Sequence, residues 1–343
     1  MSRPAGEEMD EVSLREVGVT RIPLPVPFPQ AGGPVNVYLV EEQDGGLLLF
    51  DAGLGTEAAE AALRAGFARA GRRLDEVRRI VLSHGHVDHF GAAKSILEQS
   101  GPGVEVRVHE ADLKKVAASG PSWEELLPLY RAHLARLGVP SHVLSLVARE
   151  LGGGFTLARR LPEVLPLRPG EALRTRHLEL EVLHMPGHTP GLCCLYDRGH
   201  RLLFSADHLL EKVSPNPLIE LGPLGEEGYF RPLVAYLDSV KRLRQLEVEL
   251  VLPGHGAPFA DHRRVIDELS LFYARRQDKI RAILGAGPRS GYEVSCALFP
   301  KVGPGDAFLA VSETVANLEV LEERREVKRE LRDGLYHFAL EKP

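Results

Sequence analysis

The sequence has few cysteines. Only three of its 343 residues are cysteine, and two of them, Cys193 and Cys194, are adjacent in the chain. An odd number with two direct neighbours argues against a disulfide framework and favours a reducing compartment. The N-terminal segment is acidic and lacks the apolar core of a secretory signal. We therefore expect a cytoplasmic protein.

Long apolar runs and an excess of positive charge are also missing. No apolar run approaches the roughly 18–20 residues that a membrane-spanning helix needs. The formal net charge of −6 argues against a general binder of polyanions. The composition, with 44% hydrophobic and 26% charged residues, is typical of a folded globular protein. We expect no membrane partner.

Turn signals and apolar periodicity predict a mixed α/β chain. Asp44-Gly45 separates two apolar stretches and is typical of a β-hairpin. Ser122 and Glu125 form a capping-box pattern at the start of one helix. A second helix is expected from residue 141 to residue 151, ending at the glycines 152–154. We expect a disordered tail over residues 1–12, a large domain over 13–262 with a helical insertion at about 110–160, and a C-terminal unit over 263–343.

The C-terminal unit has a pattern of its own. Three helical stretches precede a hairpin with the turn Asp333-Gly334, an order that is typical of a winged helix. From His262 to the end there are 14 Lys and Arg and 13 Asp and Glu residues, so the net charge is +1. A wing that binds the phosphate backbone of a nucleic acid is usually more basic. We expect this unit to pack on the large domain or on a second copy, with nucleic acid as a less favoured alternative.

The informative segment is SHGHVDHFG, residues 83–91, directly after an apolar strand. His84 and His86 are two positions apart, so in an extended chain both imidazoles face one side and can reach one ion. Asp88 and His89 follow where the chain turns, and they can face a second ion. Imidazole and carboxylate suit zinc and similar divalent ions. The segment therefore predicts a metal site.

Three further motifs at strand ends supply candidates for the remaining ligands. They are His188 in PGHTPG, Asp207 in SADH and His255 in PGHG. The small flanking residues let the backbone come close to an ion. A carboxylate such as that of Asp207 can bridge two ions, which a neutral imidazole cannot do. Asp51 also follows a strand and can support a ligand histidine.

Taken together, these motifs resemble the metallo-β-lactamase superfamily. The resemblance spans roughly residues 13–262, with an HxHxDH run at 84–89, the three downstream motifs in the family's order, and Asp51 in the first motif. It implies an α/β (α+β) fold, a four-layer αββα sandwich with two metals at one edge of its sheets. One metal would bind His84, His86 and His188. The other would bind Asp88, His89 and His255, with Asp207 as the bridge.

The resemblance also implies a reaction. Catalytic roles fall to Asp88 and Asp207, and a hydroxide that bridges the two ions would cleave a small ester, thioester or lactone. Zinc is the metal expected first, although manganese or iron would accept the same ligands. His86 stands where flavodiiron oxidoreductases carry glutamate, which speaks against that branch.

Two alternatives stay open. The C-terminal outline resembles the branch named for lactamase-beta-like protein two, which includes glyoxalase II-like members and single-strand endoribonucleases. Persulfide dioxygenases, which use a single iron, keep the same HxHxDH run. Gly91-Ala92 replaces the two glycines that are usual in glyoxalase II-type proteins, which speaks against glutathione thioesters.

The substrate pocket is predicted from residues near the motifs, namely His208, Asn216 and Tyr229. The helical insertion, with Trp123 and Tyr130, could form a cap over the metals, a dimer surface or ordinary packing. The expected partner is a small-molecule substrate, and a homodimer is left open.

Overall fold

The computed structural model describes residues 11–27, 29–222 and 229–341. Residues 1–10 of the expected disordered tail lie outside the described residues. For residues 11 and 12 the expectation is wrong, because they belong to helix α1, which runs from Glu11 to Glu16. Leu14 of this helix is 2% exposed and packs in the core between the two sheets, which gives the short helix tertiary support.

The first sheet has six strands in sequential order, β1 to β6. The pairs β1–β2 and β2–β3 are antiparallel, and the pairs from β3 to β6 are parallel. The Asp44-Gly45 hairpin is confirmed as the connection between the second and third strands. The strands are β1 Val19–Leu24, β2 Val35–Glu41, β3 Leu47–Phe50, β4 Val77–Val81, β5 Glu105–His109 and β6 Leu165–Leu167.

The second sheet has five strands in the order β11-β10-β9-β8-β7. Only its β10–β11 pair is parallel. The strands are β7 Ala172–Arg174, β8 Glu179–His184, β9 Cys193–Asp197, β10 Leu202–Ala206 and β11 Leu250–Pro253.

The two sheets face each other across one apolar core, and helices cover their outer faces. Tyr38 and Phe50 of the first sheet pack between the sheets with Phe204 of the second. Helices α2, α3 and α4 pack on the outer face of the first sheet, and α8 and α9 pack on the second. This is the expected four-layer arrangement. The helices are α2 Glu57–Arg69, α3 Val87–Phe90, α4 Ala93–Ser100, α8 Pro232–Leu243 and α9 His262–Leu284.

Three helices lie between β5 and β6. They are α5 Glu110–Val116, α6 Trp123–Arg136 and α7 Ser141–Phe155. The capping box of Ser122 and Glu125 is confirmed at the start of α6. The expected end of α7 at the glycines 152–154 is wrong, because the helix continues to Phe155. Gly152 packs so closely on α6 that a Cβ there would lie 2.6 Å from Nε1 of Trp123, and this packing outweighs the low helix propensity of glycine.

The C-terminal unit completes the chain with helices α10 Gly291–Leu298 and α11 Ala307–Glu323 and a three-stranded sheet. Its strands are β12 Arg289–Ser290, β13 Val327–Arg332 and β14 Leu335–Leu340. Its assignment as a winged helix stays a prediction. Apolar side chains of α10 and α11 share one core with α6 and α7, so the insertion packs on the C-terminal unit. No described helix has the length and apolar character to cross a membrane.

Candidate metal centre

The predicted ligands come together at one edge of the two sheets, because each follows the end of a strand. The segment after β4 carries the HxHxDH run, whose second half forms helix α3. The loops after β8, β10 and β11 carry the other three motifs. The structure thus brings together all seven residues: His84, His86, Asp88, His89, His188, Asp207 and His255.

The seven side chains form overlapping groups of three. In each group the potential ligand atoms lie within 4.8 Å of one another. The first group is His84, His86 and His188. The second is Asp88, His89 and His255. The third, His84, His89 and Asp207, connects the other two.

Asp207 lies between the first two groups. Its Oδ2 atom is 3.5 Å from Nε2 of His188 on one side. On the other side the same oxygen is 3.5 Å from Nε2 of His255 and 3.4 Å from Nε2 of His89. One carboxylate oxygen therefore faces imidazoles of both groups, which is the position that a bridging ligand requires.

Several buried polar atoms of this cluster lack a partner. His84 Nε2, both ring nitrogens of His188 and Asp207 Oδ1 have no hydrogen bond within the described part of the chain. Unpaired buried polar atoms are costly, at roughly 1–3 kcal/mol each, and native proteins rarely keep several together. Neutral imidazoles and carboxylates are suitable donors for divalent metals. The residues present therefore fit a pair of such ions.

The protonation of the first group also suits a metal. Burial lowers the pKa of His84 well below its usual range and the pKa of His188 to about 4, so both imidazoles are neutral at pH 7. In the second group, burial alone would raise the pKa of Asp88, but His89 and His255 lower it to about 2. Burial would lower the pKa of His255, but Asp207 and Asp88 raise it to about 10, so an ion bound there would displace a proton. Neutral histidines and an ionised carboxylate are the forms that bind metal.

Asp51 lies behind the second group. Its backbone is left-handed, with φ of 64°. Its Oδ1 accepts a hydrogen bond from the Ser83 amide at 2.7 Å, and its Oδ2 accepts one from Ser83 Oγ at 2.8 Å. Oδ2 is also 2.8 Å from Nδ1 of His89. This contact fixes which nitrogen of His89 carries the proton and turns Nε2 towards the cluster.

Gly254 shows how closely the backbone approaches the cluster. A Cβ at this position would collide with Oδ1 of Asp207 and lie 3.1 Å from Cε1 of His89. Any larger residue would push the two side chains apart. The glycine of the PGHG motif is therefore required by the close approach of β11 to the cluster.

The cluster opens into a cavity of about 1330 Å³. His86, Asp88, His188, Asp207 and His255 form part of its wall. The structure also places Asn216 and Tyr229 in this wall, and their contact with substrate stays a prediction. The expectation for His208 is wrong: its side chain is fully buried, packs 5.0 Å from the ring of Tyr236 and does not line the cavity. Since β10 ends at Ala206, the chain turns between Asp207 and His208, so only the former faces the cavity.

The family profile described as metallo-beta-lactamase superfamily matches residues 31–255 of the chain. The chain belongs to this superfamily. The probable metallo-hydrolase YqjP of Bacillus subtilis is 31% identical over 305 residues, which cover 88% of this chain and 92% of that protein. The acyl-coenzyme A thioesterase MBLAC2 of Homo sapiens is 29% identical over 247 residues, 69% of this chain and 78% of the relative.

A solved structure is similar over nearly the whole length. The metallo-beta-lactamase family protein TTHA1429 from Thermus thermophilus has a TM-score of 0.79 and 31% identity, and the match covers 94% of this chain and 99% of that one. The match extends across the C-terminal unit as well as the sandwich. With these relatives, the chain is a hydrolase of the metallo-β-lactamase fold.

Three charged residues behind the ligands of this metallo-β-lactamase fold were not predicted from the sequence. Asp112, Lys115 and Glu220 form a connected group, with Lys115 Nζ in contact with Glu220 and 3.0 Å from Oδ1 of Asp112. Glu220 stands alone among apolar neighbours in the stretch 218–221, and a single charge in such a run can signal a buried ion pair. The positions of Asp112 and Lys115 on α5 carry no comparable signal.

Proposed function

We propose that the chain is a dinuclear metal-dependent hydrolase of small esters, thioesters or lactones, and that acyl thioesters are its preferred substrates. The observation that carries the proposal is the position of the ligand cluster in the wall of a large and mostly apolar cavity. Zinc is the metal proposed for the two groups of ligands, with manganese or iron as substitutes.

The cavity fits a substrate with a long apolar part. Its volume of about 1330 Å³ exceeds the roughly 300–1,000 Å³ of common small-molecule sites. Apolar side chains from the insertion, the loop after β10, α8 and α11 form much of its wall, among them Leu126, Leu218, Val234 and Phe308. An acyl chain would bury its methylenes here at roughly 0.8 kcal/mol each.

Cationic side chains in the same cavity suit the other end of such a substrate. Lys114 and Arg160 both belong to its wall. An acyl thioester carried on an anionic group would place its charge near these residues and its chain among the apolar ones. The relative MBLAC2 is an acyl-coenzyme A thioesterase, which supports the same substrate class.

The residues around the cluster have separate tasks in this reaction. A bound metal pair would lower the pKa of water from about 15.7 to about 7 and would polarise the bond to be cleaved. Asp51 and Ser83 hold His89 in one orientation, and Asp207 keeps the two imidazole groups together. The apolar wall excludes bulk water from the bond to be cleaved.

A substrate panel tests the proposal. Thioesters with acyl chains of 2, 8 and 16 carbons, matched oxygen esters and an N-acyl lactone would be assayed with protein whose zinc, manganese and iron content has been measured. We expect two metal ions per chain and the highest kcat/KM for a thioester with a long chain. Asp207→Asn should reduce kcat/KM by at least about 100-fold, since it removes the charge between the two imidazole groups.

Asp238→Asn is the matched control, because Asp238 forms an exposed ion pair with Lys241 on α8. It should retain full activity. Full activity of Asp207→Asn would show that the site is assigned wrongly. One iron per chain together with oxygen uptake on a persulfide, or metal-dependent cleavage of single-stranded RNA without ester turnover, would replace the proposal.

A further inference from the structure

Glu220 contacts a proposed metal ligand. Its Oε1 atom lies 3.0 Å from Nε2 of His86, and the side chains are 14% and 21% exposed. A carboxylate at this distance accepts a hydrogen bond from the protonated ring nitrogen. The proton of His86 is then held on Nε2, and Nδ1 is the nitrogen that keeps a lone pair for an ion.

Glu220 belongs to a group that reaches two of the ligand loops. Lys115 contacts it and also binds Asp112, whose side chain is fully buried. Asp112 Oδ2 accepts hydrogen bonds from the Gly85 amide at 2.9 Å and from Thr189 Oγ1 at 2.6 Å. Gly85 lies within the HxHxDH run, and Thr189 directly follows another ligand. The group therefore joins the two loops that carry the first three imidazoles.

The backbone on both sides of Glu220 is attached to other parts of the molecule. The amide of Ile219 donates to Ser312 Oγ on α11 at 3.2 Å, and the amide of Leu221 donates to Tyr130 Oη on α6 at 3.1 Å. The side chains of Ile219 and Leu221 are buried in the core shared by the insertion and the C-terminal unit. Burial alternates along this stretch, so the side chains of Ile219 and Leu221 point away from that of Glu220, which is directed towards His86.

We propose that Glu220 is a positioning residue for His86, and that helices α6 and α11 hold it there through the amides on either side. This inference rests on the proposed function, because it takes His86 as a metal ligand. Two carboxylates and one ammonium group leave a net charge of about −1 behind the ligands, which favours binding of a divalent cation. The C-terminal unit thereby contributes to the metal site without supplying a ligand.

Stepwise zinc binding to metal-free protein tests the role of Glu220. Dissociation constants for the two ions would be measured by competition with a chromophoric chelator. Glu220→Ala should raise the dissociation constant of one of the two ions by about 10–100-fold and leave that of the other ion within about threefold of the wild-type value. Glu220→Gln keeps an oxygen that can accept from Nε2, so it should restore part of the affinity.

A spectroscopic signature separates positioning from general stability. Long-range ¹H–¹⁵N correlation spectra of metal-free protein labelled at histidine should show His86 protonated on Nε2 in the wild type and as a mixture of tautomers in Glu220→Ala. Glu249→Gln is the control, because Glu249 forms an exposed ion pair with Arg201. It should match the wild type in both measurements.

Three results would overturn the inference. They are zinc affinities of Glu220→Ala equal to those of the wild type, an unchanged tautomer of His86 in Glu220→Ala, or weaker binding of both ions to the same extent in Glu220→Ala and Glu220→Gln. If the wild type itself binds no ion, the proposed function fails together with the inference. If the wild type binds two ions and the Glu220 variants do so equally well, only the inference fails.

Ser312→Ala tests the attachment to the C-terminal unit. Ser312 is buried in α11 and does not line the cavity, and the substitution removes the acceptor for the Ile219 amide. We expect the affinity for the ion that Glu220→Ala affects to fall about threefold to tenfold, in line with the loss of one hydrogen bond. A lower melting temperature with unchanged zinc affinities would show that α11 does not act on the metal site.

Discussion

The Oδ2 atom of Asp51 lies 2.8 Å from Nδ1 of His89, and both side chains are almost completely buried, at 1% and 0% exposure. Asp51 is held in a left-handed backbone conformation, with φ of 64°, which Asn tolerates nearly as well as Asp. The chain therefore offers a substitution that removes the charge on the carboxylate and preserves the turn.

Asp51→Asn should weaken metal binding. Asn has only one side-chain oxygen, and when this oxygen accepts from the Ser83 amide, the NH2 group faces Nδ1 of His89. The His89 ring then has no acceptor to fix its orientation, and we expect the affinity for one ion to fall by about 10–100-fold. Chelator competition on metal-free protein measures the effect. Asp197→Asn is the matched control. Asp197 lies at the end of β9, is also buried, and accepts hydrogen bonds from two backbone amides. Equal zinc affinities in the two variants would contradict the role of Asp51.

Removal of metal should lower the stability of the whole protein. A ligand that binds only the folded state at 1,000 times its Kd stabilises that state by about 4 kcal/mol. For a chain of this size we expect the melting temperature to fall by about 10 °C after dialysis against a chelator. Readdition of zinc should restore it, whereas magnesium, which prefers oxygen ligands, should not. An unchanged melting temperature would show that the buried imidazoles are stable without an ion.

Gly66→Ala should destabilise the protein although Gly66 lies inside helix α2. Helix propensity favours alanine by about 1 kcal/mol. However, a Cβ at this position would lie 2.8 Å from Cδ1 of Ile22 and still closer to its Cγ2, and such overpacking costs about 1–3 kcal/mol. We expect a net loss of about 1–2 kcal/mol in the free energy of unfolding, measured by chemical denaturation.

Two variants check this explanation. The Cβ of Gly153→Ala in α7 would meet no atom within 4 Å, so this variant should gain up to about 1 kcal/mol. Combining Gly66→Ala with Ile22→Ala should cost less than the sum of the single changes, because the colliding atoms are gone. Additive costs would show that the clash with Ile22 is not the cause.

The stability should fall as the pH rises from about 5 to about 8. Burial raises the pKa of Glu319 to about 8, although Arg329 and Arg231 oppose the shift, and Glu322 adds to it. In this range the folded state keeps a proton that the unfolded state has released, so stability is lost as the pH approaches the folded-state pKa. Glu319→Gln should flatten the dependence and be more stable than the wild type at pH 8.

Denaturation curves at pH 5.5 and pH 8 measure this difference. Glu323→Gln is the control, because Glu323 is exposed and pairs with Arg231 on the surface. It should keep the wild-type dependence on pH. A wild-type protein that is equally stable at both pH values, with Glu319→Gln showing the same flat profile, would contradict the raised pKa of Glu319.

Short-range patterns predicted much of the fold. The Asp44-Gly45 hairpin and the Ser122 capping box depend on residues within a few positions of each other, so the sequence is sufficient to identify them. The αββα sandwich was implied by the resemblance to the metallo-β-lactamase superfamily, and it is confirmed by the sheets and by the similar solved structure. The candidate ligands could be identified in the sequence because each motif follows a strand and contains small residues.

Contacts between distant segments could not be predicted in this way. Glu220 follows His86 by 134 positions, and their contact depends on long-range packing that places the segment 219–221 against α6 and α11. Packing of α7 on α6 within the insertion keeps Gly152 helical against Trp123, where local propensity predicts an end. His208 was misplaced for a related reason, since adjacency to Asp207 in sequence does not decide which side of the turn faces the cavity.

The shared core of the insertion and the C-terminal unit has a consequence for the order of events during synthesis. Every proposed ligand has been synthesised once the chain has passed His255, yet helix α11, which carries Ser312, ends only at Glu323. For an interval of some 70 residues, which lasts about 3 to 15 seconds at roughly 5–20 residues per second, the nascent chain has its imidazoles but lacks the Ser312 contact beside Glu220. If Glu220 positions His86 as proposed, the full affinity for metal is acquired late, when α11 docks.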